Sequence, residues 1–129
     1  MGSIIAVAIG GALGSVARYG LSILAEQSLG RDFPYGIFIA NILGSVAIGI
    51  CFVLLVEKSG VSELWRSLLM VGFLGGFTTF STFSLNSLAM LETGRYLESA
   101  IYILGSIILS VGGCLLGMFL TRQFTSPGV

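Results

Sequence analysis

The sequence predicts an all-α integral membrane protein that forms a single membrane domain over residues 1–129. Two observations predict this class. The chain is 55% hydrophobic and only 9% charged, whereas a soluble domain carries roughly 25% charged residues. The few charged residues also divide the chain into four apolar stretches, and each is long enough for a spanning helix, which needs about 20 residues.

The four predicted spans cover about residues 3–25, 35–56, 64–91 and 97–120. The connectors between them, EQSLGRDFP, EKSGVSE and ETGRY, are too short to form a soluble domain. Pro34 closes the first connector and is suited to the start of the second helix, since proline is favoured in the first helical turn.

Loop charges predict an unusual membrane topology. Four spans place the N-terminus, the second connector and the C-terminus on one side, together with Lys58, Arg66 and Arg122. The other side holds Arg31 and Arg95. Because cationic loops fix orientation through their imbalance, this near balance predicts insertion in both orientations and pairing of the chain with an inverted copy of itself.

The third predicted span is longer than one crossing requires and carries an unusual polar segment. Gly75 and Gly76 are followed closely by Thr78 and Thr79. Glycines next to hydroxyl residues are typical of kinked or broken helices. We therefore expect this helix to be broken near Gly75–Thr79 and to resume around Phe80, with an intact, slightly bent helix as the alternative.

Small residues recur at four-residue spacing along several predicted spans. Such pairs allow helices to approach closely. They serve packing within one chain as readily as dimerisation, so both interpretations remain open. The pairs are Gly10 and Gly14, Ala40 and Gly44, Ser45 and Gly49, and Gly113 and Gly117.

Few polar side chains lie at membrane depth, and these are candidate functional residues. Arg18 is either an interfacial anchor or part of an electropositive vestibule that attracts anions. Asn41 either joins helices or offers its amide hydrogens to a ligand. Tyr102, Ser106 and Ser110 follow an i, i+4, i+8 spacing, which places them on one helix face.

The segment after the predicted break alternates phenyl rings with hydroxyls. Phe80, Phe83, Ser84 and Ser87 share one helix face. A phenyl ring has a positive edge, so ring edges and hydroxyls both suit an anion. Aspartate and glutamate are missing from the four span interiors, although a cation path would use carboxylates or carbonyl rings. The composition thus favours a small anion.

Other function classes fit poorly. The chain lacks histidine and any lysine or carboxylate at membrane depth, so no base is present to activate a nucleophile, and we expect no enzymatic activity. No basic cluster suggests nucleic acid as a partner. Cys51 and Cys114 lie in apolar runs and are expected to be free. A small dual-topology multidrug or cation exporter is the runner-up, but it would require an acidic residue within a span. A non-transporting accessory subunit would leave the polar stripes unexplained.

Residues 72–84, GFLGGFTTFSTFS, resemble the signature of the Fluc fluoride channels, the bacterial CrcB family. The resemblance covers essentially the whole chain. The further matching motifs are GxxxGxxxRY at Gly10, Gly14, Arg18 and Tyr19, and AN-xx-GS at Ala40, Asn41, Gly44 and Ser45.

This resemblance implies a passive, fluoride-selective channel in the bacterial inner membrane, formed by an antiparallel, dual-topology homodimer with two pores. It implies a structural sodium ion held by the backbone carbonyls of Gly75 and Thr78, and no organic cofactor. Arg18 would belong to the vestibule. Asn86 departs from relatives that carry glutamate there, which puts in doubt any pore role for a carboxylate. The predicted pore residues are Asn41, Phe80, Phe83, Ser81, Thr82, Ser84, Tyr102, Ser106 and Ser110.

Overall fold

The computed structural model describes residues 1–58 and 60–126, and this part of the chain is folded into helices and short connectors. Ser59, in the second predicted connector, and residues 127–129 lie outside the described residues. In chain order the elements are α1 (Gly2–Leu29), α2 (Tyr35–Cys51), a π-helical segment (Phe52–Glu57), α3 (Glu63–Arg66), a second π-helical segment (Ser67–Leu74), α4 (Gly75–Phe77), α5 (Phe80–Glu92) and α6 (Tyr96–Thr125).

These elements combine into four segments that are long and apolar enough to cross a membrane, which confirms the predicted all-helical membrane class. Helical structure extends past the predicted ends most clearly at Leu29 and Thr125. The charged residues Glu26 and Arg122 remain helical, since long polar side chains can reach the membrane interface from a helix end. The four segments are Gly2–Leu29, Tyr35–Glu57, Glu63–Glu92 and Tyr96–Thr125.

Glycines bring α1 into backbone contact with the first half of the third span. A Cβ placed on Gly10 would lie 2.2 Å from the Leu68 carbonyl oxygen. A Cβ on Gly14 would lie 2.0 Å from the Phe73 carbonyl oxygen. Real Cβ atoms do not approach oxygen so closely, so only glycine permits this packing.

A second pair of helices, α2 and α6, packs in the same manner. A Cβ on Gly49 would lie 2.3 Å from the Cys114 carbonyl oxygen, and one on Gly117 would lie 2.6 Å from that of Val46. Close glycine-mediated approach is the usual way in which membrane helices gain packing energy. Gly10, Gly14, Gly49 and Gly117 thus serve packing within one protomer.

The helical backbone of the third span is interrupted between α4 and α5. Thr78 has φ −91° and ψ 157°, and Thr79 has φ −151° and ψ 127°, so both residues are extended. The Thr78 N–H still donates to the Leu74 carbonyl at 3.1 Å, which completes the preceding helical turn. At this depth a non-helical backbone needs protein or water to satisfy its polar groups.

Ion pairs and hydrogen bonds join the span ends on both sides of the bundle. Arg122 Nε lies 3.1 Å from each Glu57 carboxylate oxygen, and Lys58 Nζ donates to the Thr125 carbonyl at 3.4 Å. At the opposite end the Arg95 guanidinium donates to the Asp32 carbonyl. These contacts are exposed, so each contributes little to stability.

Candidate functional site

A cavity of about 440 Å³ lies beside the extended residues of the third span. We call it the mid-span cavity. Residues from α2, the third span and α6 line it, and none of these lining residues carries a charge. It brings together seven residues predicted from the sequence: Asn41, Gly75, Thr78, Phe80, Phe83, Ser106 and Ser110.

Asn41 is bonded to the extended backbone rather than left free in the cavity. Its Oδ1 accepts the Thr79 N–H at 2.8 Å, and its Nδ2 donates to the Thr79 carbonyl at 3.1 Å. One side-chain amide therefore satisfies both main-chain groups of one residue. The second hydrogen on Nδ2 remains for another acceptor.

Thr79 also begins the next helix, and the candidate site residues predicted from the sequence did not include it. Its Oγ1 accepts the Thr82 N–H at 3.3 Å and lies 3.3 Å from the Ser81 hydroxyl. A threonine in this position is a favoured N-cap. The signal was present in the sequence, as a threonine immediately before the helical run that starts at Phe80.

Two hydroxyls in the mid-span cavity have no hydrogen-bond partner within the described part of the chain. The Oγ atoms of Ser106 and Ser110 are both shielded, and Ser106 is only 5% exposed. They lie one turn apart on α6. An unsatisfied buried hydroxyl is costly, so these two groups are available to a bound species.

The phenyl rings have different environments. Phe83 is buried against the fully buried Tyr102, with ring centroids 5.2 Å apart. Phe80 lies 5.5 Å from Phe83 by the same measure but is 78% exposed. Tyr102 does not line the mid-span cavity, and its hydroxyl accepts a hydrogen bond from Asn86 Nδ2 at 3.3 Å.

The hydroxyls of Ser84 and Ser87 are bonded to their own helix. Ser84 donates to the Phe80 carbonyl at 2.9 Å, and Ser87 donates to the Phe83 carbonyl at 2.8 Å. Such i−4 bonding is a common fate of serine in membrane helices. Ser81 and Ser84 are exposed and line neither of the two cavities described here.

A second cavity of about 470 Å³ lies next to the first connector, and we call it the connector cavity. Its lining includes Arg18 and Thr82 together with Arg31, Asp32 and Arg95. The structure thus separates Arg18 and Thr82 from the predicted residues of the mid-span cavity. Arg18 thus lines the connector cavity, and its vestibule role stays a prediction.

Four apolar spans around an uncharged, hydroxyl-lined cavity define a small multi-pass membrane protein. Comparison with known sequences identifies its relatives more closely. The chain belongs to the CrcB family, because the profile of the family described as "CrcB-like protein, Camphor Resistance (CrcB)" matches residues 5–118.

Individual relatives match along nearly the whole chain, and each is named fluoride-specific ion channel FluC. The Coxiella burnetii protein is 43% identical over 94% of this chain and 98% of its own length. The Nitrobacter winogradskyi protein is 44% identical over 92% of this chain and 94% of its own length. The Saccharophagus degradans protein is 40% identical over 92% of this chain and 89% of its own length.

Proposed function

We propose that this chain is a passive, fluoride-selective anion channel. The observation that carries the proposal is the pair of shielded, unpartnered hydroxyls of Ser106 and Ser110 in a cavity without charged lining residues. A donor buried without a partner costs about 1–3 kcal/mol, and an anion removes this cost. The names of the relatives, at 40–44% identity, support fluoride as that anion.

The cavity chemistry suits an ion that holds its water tightly. A selective path must replace that hydration with donors and still release the ion. Hydroxyls of Ser106 and Ser110 and the positive ring edges of Phe80 and Phe83 offer donors without a fixed cation. A fixed cation in their place would bind fluoride too tightly for rapid passage.

The path toward the membrane surface involves the connector cavity. Arg18, Arg31 and Arg95 line it beside Glu26 and Asp32, which leaves an excess of positive charge. Such an excess concentrates anions at a pore mouth. Of the remaining predicted pore residues, Thr82 lines this cavity. Pore roles for Thr82, Ser81, Ser84 and Tyr102 stay predictions.

The working unit in this proposal is an antiparallel homodimer with two pores. The position of Phe80 at the start of α5 supports it, because this ring lines the mid-span cavity and is 78% exposed in the protomer. An inverted second copy would cover this ring and bring its own Phe80 toward the first. The near balance of loop charges supports insertion of the chain in both orientations.

The proposal includes a structural sodium ion held by the carbonyls of Gly75 and Thr78. In a continuous helix Thr79 N–H would bond to the Gly75 carbonyl and Thr82 N–H to that of Thr78. Both donors are instead engaged, by Asn41 Oδ1 and Thr79 Oγ1, respectively. Free carbonyl oxygens suit a hard cation. A bound sodium ion would supply positive charge and fixed geometry at the dimer centre.

The physiological role follows from the acidity of hydrogen fluoride. The neutral acid crosses membranes and dissociates in the cytoplasm, which traps fluoride. A channel in the bacterial inner membrane would let a negative interior potential drive the anion out, without chemical catalysis or coupling to another solute.

Fluoride efflux from liposomes reconstituted with the purified protein tests the proposal. We expect rapid fluoride release and retained chloride. Release of both anions would contradict selectivity. Release of neither, from protein shown to be dimeric, would contradict channel function, and a terminal tag found on only one side of the cell membrane would contradict dual topology.

A further inference from the structure

We infer that Asn41 is a positioning residue that keeps the third span interrupted and thereby leaves the carbonyls of Gly75 and Thr78 free. The inference rests on the sodium cradle of the proposed function. It gives the Asn41 amide a role in backbone geometry that is distinct from contact with fluoride.

The first step concerns the donor that a continuous helix would use. An α-helix directs each N–H to the carbonyl four residues earlier, so Thr79 N–H would bond to Gly75. Here the same N–H lies 2.8 Å from Asn41 Oδ1. The side chain of α2 therefore competes directly with helix formation at this residue.

The second step concerns the other half of the amide. Asn41 Nδ2 donates to the Thr79 carbonyl at 3.1 Å, so the extended Thr79 has both main-chain groups satisfied. An unsatisfied backbone group is costly in a membrane, where no water replaces the lost partner. If the amide is removed, the Thr79 N–H regains satisfaction most directly by bonding to Gly75, which closes the helix and occupies that carbonyl.

The third step extends the effect to Thr78. The Thr82 N–H, which would bond to the Thr78 carbonyl in a continuous helix, is taken by Thr79 Oγ1 at 3.3 Å. This capping bond depends on the extended conformation of Thr79. Gly44 makes the arrangement possible, because a Cβ there would lie 2.3 Å from Thr78 Cγ2.

Asn41 thus controls two oxygens to which it is not bonded. Replacing it with leucine should lower the affinity for sodium at least tenfold. In the same variant, the backbone at Thr79 should interconvert between the extended and the helical conformation. A purely structural contribution of Asn41 would lower stability equally with and without sodium.

The test uses the full chain in detergent. The midpoint of thermal unfolding is measured while sodium chloride replaces choline chloride at constant ionic strength, since a ligand that binds the folded state raises stability with its concentration. Asn41→Leu is compared with Ser45→Ala, a matched control one turn away that lines the same cavity. Hydrogen exchange of the Thr79 amide gives a readout independent of sodium and of fluoride flux.

We expect sodium to raise the unfolding midpoint of the wild type and of Ser45→Ala similarly. Asn41→Leu should need at least tenfold more sodium to reach half of its maximal rise in midpoint. The hydrogen-exchange rate of the Thr79 amide should differ from the wild-type rate only in Asn41→Leu. Asn41→Gln keeps both the amide oxygen that accepts from Thr79 N–H and the amide hydrogens that donate to the Thr79 carbonyl. It should retain the sodium response, so it provides a second test if the leucine variant does not fold.

An unchanged sodium response in Asn41→Leu, a lost response in Asn41→Gln, or no response in the wild type would each overturn the inference. Failure of the channel proposal is distinguishable. It would appear as absent fluoride efflux from wild-type protein, whatever the sodium titration gives.

Discussion

Removing the hydroxyl of Ser106 should stabilise the protein and slow fluoride passage at the same time. The side chain is 5% exposed and its Oγ has no partner in the described part of the chain. The folded protomer therefore bears the desolvation cost of that group, about 1–3 kcal/mol. Ser106→Ala removes the cost, so the free energy of unfolding should stay level or rise by up to that amount.

Flux should move in the opposite direction. A hydrogen bond to a charged partner contributes about 1.5–3 kcal/mol. If that contribution acts at the limiting barrier, its loss slows passage by roughly 10- to 150-fold, since each 1.36 kcal/mol corresponds to about tenfold in rate. The assay is fluoride efflux from liposomes, normalised to the amount of reconstituted dimer, with unfolding measured on the same preparation.

Ser87→Ala is the matched control. Ser87 is similarly buried, at 7% exposure, but its hydroxyl already donates to the Phe83 carbonyl at 2.8 Å. This variant should lose about 0.5–1.5 kcal/mol of stability and keep near wild-type flux. Wild-type flux in Ser106→Ala, or a loss no larger than in Ser87→Ala, would refute the assignment of the unpartnered hydroxyl to the fluoride path.

Three further changes test the ring edges, the glycine packing and the surface ion pair. Phe80→Leu should reduce fluoride flux per reconstituted dimer in the liposome assay while the protomer keeps its helical fold, because Phe80 is mostly exposed in the protomer; unchanged flux would remove the ring-edge argument. Gly49→Ala should destabilise the protein by about 1–3 kcal/mol in thermal unfolding, since its Cβ would lie 2.3 Å from the Cys114 carbonyl oxygen; an equally stable variant would show that α2 and α6 can separate freely. Glu57→Gln removes an exposed partner of Arg122 and should lower the midpoint of thermal unfolding only slightly, with the difference shrinking at high salt; a large, salt-independent loss would show that the pair is not screened by solvent.

The sequence was sufficient to predict the helical membrane class because its charged residues, apart from Arg18, lie near the ends of the spans. It also pointed to the polar segment of the third span. Glycines and threonines there weaken the helix, and the structure is extended at Thr78 and Thr79. Composition could not identify Asn41 as the residue that satisfies the interrupted backbone. Asn41 lies 38 residues from Thr79 and contacts it only through helix packing.

The predicted face of α6 that carries Tyr102, Ser106 and Ser110 illustrates the same limit. Ser106 and Ser110 do line one cavity, as their spacing predicts, but Tyr102 points its ring into an aromatic cluster with Phe33 and Phe83. Helical spacing fixes the face on which a residue lies. It does not fix where a long side chain ends, and Phe33 comes from a connector whose path depends on tertiary contacts.

The interruption at Thr78 and Thr79 also divides the electrostatic field of the third span. A helix carries roughly half a positive charge at its N-terminus and half a negative charge at its C-terminus. The extended residues therefore place the negative C-terminal end of α4 and the positive N-terminal end of α5 at nearly the same membrane depth. In the proposed inverted pair the partner supplies the reverse arrangement, so the two sets of dipoles cancel along the membrane normal. Fluoride current should then be the same function of voltage in both directions, without rectification.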